Sequence, residues 1–293
     1  NIASSKWIAD ASMKVDEWHD PTLTLIYLPH LDYALQKFGI NFDKISKSLN
    51  EVDVLCEQLI TYYEEKGAEV ILLSEYGITS VNQPIHINRA LRKAGYIEVK
   101  DELGLETLDA GTCRAFAVAD HQLAHIYVND KKDLAKVKTL VAALPGVEKV
   151  LDSAEQKDFK LNHDRTGDLV AVADKDSWFT YYYWLDDNVA PDYARTVDIH
   201  RKPGYDPVEM FANPDIKFLK GKLGWTLLKK KLGFRYLMDV IPLKAELVKG
   251  SHGRIPESTK DWPVLIRSSD KEEGENVDPT SVYSIIHDVV NRK

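Results

Sequence analysis

The chain has 293 residues, 44% of them hydrophobic, enough to bury one large core or two smaller ones. Its formal charge of −8 excludes a general basic footprint, and with it a nucleic-acid duplex as the default partner. No run approaches the ~20 apolar residues needed to cross a bilayer, so no membrane segment is expected. The two cysteines, Cys56 and Cys113, supply neither a disulfide framework nor a cysteine-rich zinc site, and a reducing, cytoplasmic compartment is the expectation.

In chain order, Trp7, Ile8, Ala11 and Val15 recur at helical spacing and predict a first helix. The runs 23–28 and 70–73 are short and apolar and predict buried parallel strands. Between them, Val52, Leu55, Leu59 and Tyr62 predict a second helix on the 3.6-residue period. Two further helices are expected over 86–94, with Gly95 at its end, and over 134–144, stopped by Pro145 and Gly146. The run 168–173 predicts a buried strand, and the aromatic stretch 178–184 a strand covered on both faces. Residues 280–293 predict a closing amphipathic helix, and Lys229, Lys230 and Lys231 a solvated helix face. This alternation predicts an α/β domain, with surface insertions over 188–205 and 256–277 where Pro, Gly and charge are dense. The first residue is Asn1 and leads directly into a helix, so a portion upstream of it is expected.

Three polar clusters sit at the ends of apolar runs: Leu28 to Asp32, Ser74 to Gly77 and Gly250 to Arg254. Ligands in doubly wound sheets gather at strand carboxyl ends, so these clusters are candidates for one distributed site. Asp32 is an oxygen donor for a cation or a helix cap, and His30 beside it a ligand or a structural histidine. Glu75 needs a partner or a metal if it is buried. His252 lies between two glycines that let the backbone approach a ligand. Two other groups are polar enough to contribute. One is Asp120, His121 and His125; the other spans Asp198 to Asp206, where Arg201 and Lys202 would neutralise phosphate oxygens.

Taken in this order the clusters resemble the alkaline phosphatase superfamily, in its type I phosphodiesterase and nucleotide pyrophosphatase branch. The resemblance implies an alkaline-phosphatase-like α/β fold over 1–293, a mostly parallel sheet with helices on both faces, lacking its N-terminal portion. It also implies a hydrolase of phosphate mono- or diesters that uses divalent metal, zinc by preference, with manganese, magnesium or calcium as alternatives. Asp32, Glu75 and His252 fall on metal-binding positions, while the nucleophile belongs upstream of Asn1, in this chain's own N-terminal segment or a separate chain. Two positions depart from the family pattern. Gln36 stands four residues after Asp32 where the family has histidine, and Glu75-Tyr76 replaces an Asp-His pair. Gln36 and Tyr76, with His200, are therefore expected to meet a phosphorylated small-molecule substrate rather than metal. The alternative is a non-catalytic relative that binds a phosphorylated ligand or a protein partner.

Overall fold

The side chain of Asn1 accepts a hydrogen bond from the Ala3 amide at 2.8 Å and caps the first helix, α1 (Ile2–His19), in the computed structural model. The structure describes residues 1–268 and 276–291. Its secondary structure is mixed α/β, and the chain divides into two compact units, one formed by 1–78 with 256–293 and the other by 79–255.

In the first unit, α1 packs beside α3 (Phe42–Glu65), with α2 (His30–Phe38) between them in sequence. The predicted period holds in α3, where Leu55 and Leu59 are buried and join Ala9 and Tyr63 in a small core. It does not hold in α1. The buried stripe is Ser5, Ala9 and Asp16, while Trp7 and Val15 point to solvent. Asp16 is buried because α3 and the residue that caps it supply its partners: the Tyr62 hydroxyl donates to it at 3.0 Å and Lys66 forms an ion pair with it.

The segment 23–28 is not a strand. Ile26 and Leu28 turn inward to the helix core, while Leu23, Leu25 and Tyr27 are exposed, Leu25 by 79%. Continuous hydrophobicity had suggested cover on both faces, but helices cover only one. β1 (Ile71–Leu73) does form, though it pairs antiparallel with the strand Leu265–Arg267 in a two-stranded sheet. Glu69 and Arg267 close the end of that ladder as an ion pair. The expected closing helix runs over Val282–Val290; residues 292–293 of that expectation, and 269–275 of the expected insertion 256–277, lie outside the described residues.

The second unit begins with β2 (Thr79–Ser80) and β3 (Gln83–Ile85), followed by α4 (Ile87–Lys93), the hairpin β4 (Val99–Glu102) and β5 (Leu105–Leu108), and a second hairpin, β6 (Ala115–Asp120) and β7 (Leu123–Val128). After α5 (Leu134–Ala142) come β8 (Val147–Leu151) and β9 (Leu169–Ala173), which complete a four-stranded sheet in the order β6-β7-β9-β8. Every pair in that sheet is antiparallel. The expectation of a mostly parallel sheet is thus corrected. Among the described residues, the one parallel strand pair is β3 with β10 (Ser177–Phe179). For β6 and β7 the reason is local: their two-residue link is too short for a crossover and forces antiparallel pairing.

All five residues of β9 are buried, as the run 168–173 predicted. The aromatic stretch 178–184 leaves the sheet after Phe179, yet each of its residues remains buried at the centre of the main core. Helix α6 (Leu219–Lys231) follows, and β11 (Gly250–Ser251) pairs antiparallel with β2. No helix of the described residues is long and apolar enough to cross a membrane.

Candidate functional site

The expected site residues fall into two groups, one in each unit. In the first, Pro29 turns the chain out of the 23–28 segment and α2 begins at His30, which places Asp32 in the first helical turn. A carboxylate there is favoured by the unpaired amides and positive end of the helix dipole. Gln36 lies one turn further on the same face, fully buried, and its Nε2 donates to Asp32 Oδ2 at 2.8 Å. The hydroxyl of Tyr76, 44 residues away, donates to the other oxygen, Oδ1, at 3.3 Å. Burial pushes the Asp32 carboxyl above its ordinary range, and the bonds from Gln36 and Tyr76 partly oppose that shift. Burial, reinforced by the charge on Asp32 and the neighbouring Tyr27, drives the Tyr76 hydroxyl far upward, so it remains a proton donor. Gln36 carries one further feature: its Oε1 is buried with no hydrogen-bond partner. His30 is structural, its Nε2 lying 2.8 Å from Glu51. Glu75 is exposed, so the condition under which it would need a buried partner is not met.

Gly77 of the same motif is held by contact rather than by dihedral angle. A Cβ there would stand 1.7 Å from the carbonyl oxygen of Asp261, so only glycine permits this approach.

In the second unit, β11 carries His252 out of the pairing with β2. Its imidazole lies against that of His121, and the ring of His121 also approaches Tyr205, with 4.6 Å between centres. His121 occupies the two-residue turn between β6 and β7 with φ of 54°, a conformation uncommon outside glycine. The turn is fastened by its backbone. The Gln122 amide donates to the His252 carbonyl at 2.8 Å, and the Phe179 amide to the His121 carbonyl at 2.7 Å. Burial lowers the His252 pKa to about 4, while burial and the neighbouring His252 lower that of His121 to about 3, so both rings are neutral near pH 7.

The cluster of Asp120, His121 and His125 separates. His121 turns to His252, whereas His125 Nδ1 accepts from the Gly167 amide at 3.2 Å. His200 is exposed. Its neighbours are already engaged: Arg201 pairs with Asp192 at 2.8 Å, and Lys202, whose side chain is 0% exposed, lies between Asp206 and Glu209 at 2.9 and 2.6 Å. Their charges therefore serve the fold instead of lying open to phosphate. Sequence reasoning missed the contact of His121 with His252 and the approach of Tyr27 to Tyr76. A turn-forming His121 directly after an alternating strand was the one available signal for the former.

Within each unit an expected donor is already engaged by protein groups. Both oxygens of Asp32 accept from neutral donors, Gln36 and Tyr76, and the ring of His252 lies against that of His121. Among the described residues, no group of three or more His, Cys, Asp or Glu side chains is placed to hold a metal ion.

The family model for type I phosphodiesterase / nucleotide pyrophosphatase matches residues 1–206. The chain belongs to this family. A search of curated proteins found no significant match. Among solved structures, the phosphodiesterase-family chain is similar to phosphonoacetate hydrolase from Sinorhizobium meliloti 1021 in complex with phosphonoformate, at 19% identity and a TM-score of 0.45 over 61% of this chain and 43% of that one. Murine ectonucleotide pyrophosphatase / phosphodiesterase 5, an inactive form in complex with AMP, is similar at 19% identity and a TM-score of 0.43, over 58% and 43% of the two chains. The human protein of the same name gives 13% identity and a TM-score of 0.42 over 80% and 62%. The alignment thus spans less than half the length of the first two proteins.

Proposed function

We propose that this phosphodiesterase-family chain is part of a hydrolase of phosphate mono- or diesters, acting on phosphorylated small molecules. The family-model match over residues 1–206 carries the reading. In it, both units belong to one alkaline-phosphatase-like domain, and the attacking hydroxyl lies upstream of Asn1. A reducing, cytoplasmic setting is part of the same proposal.

The residues of this chain position and exclude. The bonds from Gln36 and Tyr76 keep the Asp32 carboxylate oriented, and the unpaired Gln36 Oε1 is an acceptor for a ligand N–H or O–H. His252, His121 and Tyr205 form an aromatic wall in the second unit. His200 is assigned to substrate from its exposed position. The proposal includes a divalent ion, zinc or a harder cation, with Asp32, Glu75 and His252 as its expected contacts. Both Asp32 oxygens already accept hydrogen bonds within the first unit, so no step is assigned to the ion.

The neutral donors that already hold Asp32 favour a second reading, a non-catalytic relative that binds a phosphorylated ligand. The two separate in one experiment. The protein with its upstream sequence is assayed on p-nitrophenyl phosphate and bis(p-nitrophenyl) phosphate, with zinc, manganese, magnesium or a chelator. Turnover that falls at least tenfold in Asp32→Ala supports the hydrolase. Nucleotide binding by calorimetry without turnover under any metal supports the binder.

A further inference from the structure

The second unit carries a surface that neither reading uses. Helix α6 runs over Leu219–Lys231, and of its residues only Thr226 is buried. Thr226 and the half-buried Leu219 and Leu223 lie on the inner face; Leu228 lies opposite them and Trp225 and Leu227 on the two flanks, exposed by 43%, 59% and 54%. The turn beyond the helix continues the patch with Leu232 and Phe234. So many adjacent apolar side chains in water mark an interaction surface.

The charge around the patch says what covers it. Between residues 215 and 239 the chain has seven basic side chains and two acidic ones, in a protein whose net charge is −8. Among the described residues, Lys217, Lys220, Lys229, Lys230 and Lys231 have no ion-pair partner, whereas Lys222 is paired with Asp239 at 2.7 Å. Lys229 and Lys230 lie over the rings of Trp225 and Tyr236, at 5.8 and 5.5 Å from the ring centres. Five unpaired ammonium groups around exposed Leu, Phe and Trp would repel a basic partner and a second copy of the same face alike. They complement a plane of lipid phosphates, with the apolar residues entering the acyl boundary and the lysine stems reaching back to the headgroups.

We propose that α6 and the turn after it form a peripheral docking surface for an anionic lipid bilayer. The surface lies within the second unit and does not depend on the hydrolase reading.

The test is co-sedimentation of the whole protein with vesicles of phosphatidylcholine alone or with one third phosphatidylserine, at low and high salt. The expected result is binding to the anionic vesicles only, weakened by salt, with a blue shift in tryptophan emission that is lost in Trp225→Phe. The triple variant Lys229→Glu, Lys230→Glu, Lys231→Glu should bind at least on the order of a hundredfold more weakly, since each lysine near an anionic surface contributes about a fivefold factor. Lys47→Glu, an exposed substitution in the first unit, should bind as the parent does. Near-UV circular dichroism identical to the parent's establishes that the triple variant is folded. Equal binding to both vesicle types, or no loss in the folded triple variant, overturns the proposal. So does a dimer that Leu228→Glu dissociates while the parent ignores anionic vesicles, which would assign the face to self-association.

Discussion

The imidazole rings of His121 and His252 lie with centres 3.8 Å apart and planes 33° apart, joining a hairpin turn to a loop 131 residues later in the chain. Neither ring is protonated near pH 7, because burial disfavours the charged form of both.

This pairing gives the second unit a defined acid response. In the unfolded chain both histidines titrate near 6.5, against about 3 and about 4 in the fold. The unfolded state therefore binds more protons between these limits, and the contribution present above about 6.5 is lost as the pH falls towards 4. The double variant His121→Asn, His252→Gln should show a flatter dependence of Tm on pH across that interval; Asn is chosen because it tolerates the positive φ at 121. Parallel curves for parent and variant would show that the rings are not held neutral.

Asp32 responds in the opposite direction. Its carboxyl pKa is raised by burial, so the folded state holds the proton more tightly and ionisation costs stability as the pH rises through the raised value. Asp32→Asn should therefore lie lowest relative to the parent at pH 3 and improve towards pH 7. Denaturant titrations at the two pH values measure the difference. A relative stability that falls with rising pH would contradict this sign.

Gln36→Leu tests the same contact from its donor side. It removes the 2.8 Å bond and leaves one oxygen of a half-buried carboxylate without its donor, a loss of roughly 1–3 kcal/mol. It also deletes the unpaired Oε1, so ligand binding should fall further than the stability change explains. Urea unfolding together with nucleotide calorimetry separates the two effects.

Lys202→Met should be among the most damaging single changes in the second unit. It strands Asp206 and Glu209 beside an apolar side chain, and breaking a buried pair from one side costs about 3–5 kcal/mol. A measured loss below about 1 kcal/mol would mean the site readily admits water.

Gly77→Ala should displace the turn at Asp261, whose carbonyl oxygen occupies the space a Cβ needs. Overpacking of this kind costs roughly 1–3 kcal/mol. Faster amide exchange over residues 259–262, with β9 unchanged, is the expected local signature.

Much of this architecture was legible in the residues. The period in α3, the stop after α5 and the burial of β9 follow from spacing and punctuation alone. What spacing does not record is the partner. The run 23–28 looks like a two-sided strand, yet helices cover one side only, and nothing in β1 announces that Leu265–Arg267 will pair with it antiparallel. At the site, the Asp32 to Gln36 contact follows from helical spacing, while Tyr76 and the His121 to His252 pair depend on long-range packing that a linear pattern does not encode.

The buried aromatic stretch 178–184 also divides the chain's six tryptophans into two optical classes. Trp178 and Trp184 sit in the core of the second unit, whereas Trp7, Trp18, Trp225 and Trp262 face solvent. Emission at short wavelength thus comes from the second unit alone, and its quenching by a water-borne agent such as iodide reports the melting of that unit without any label.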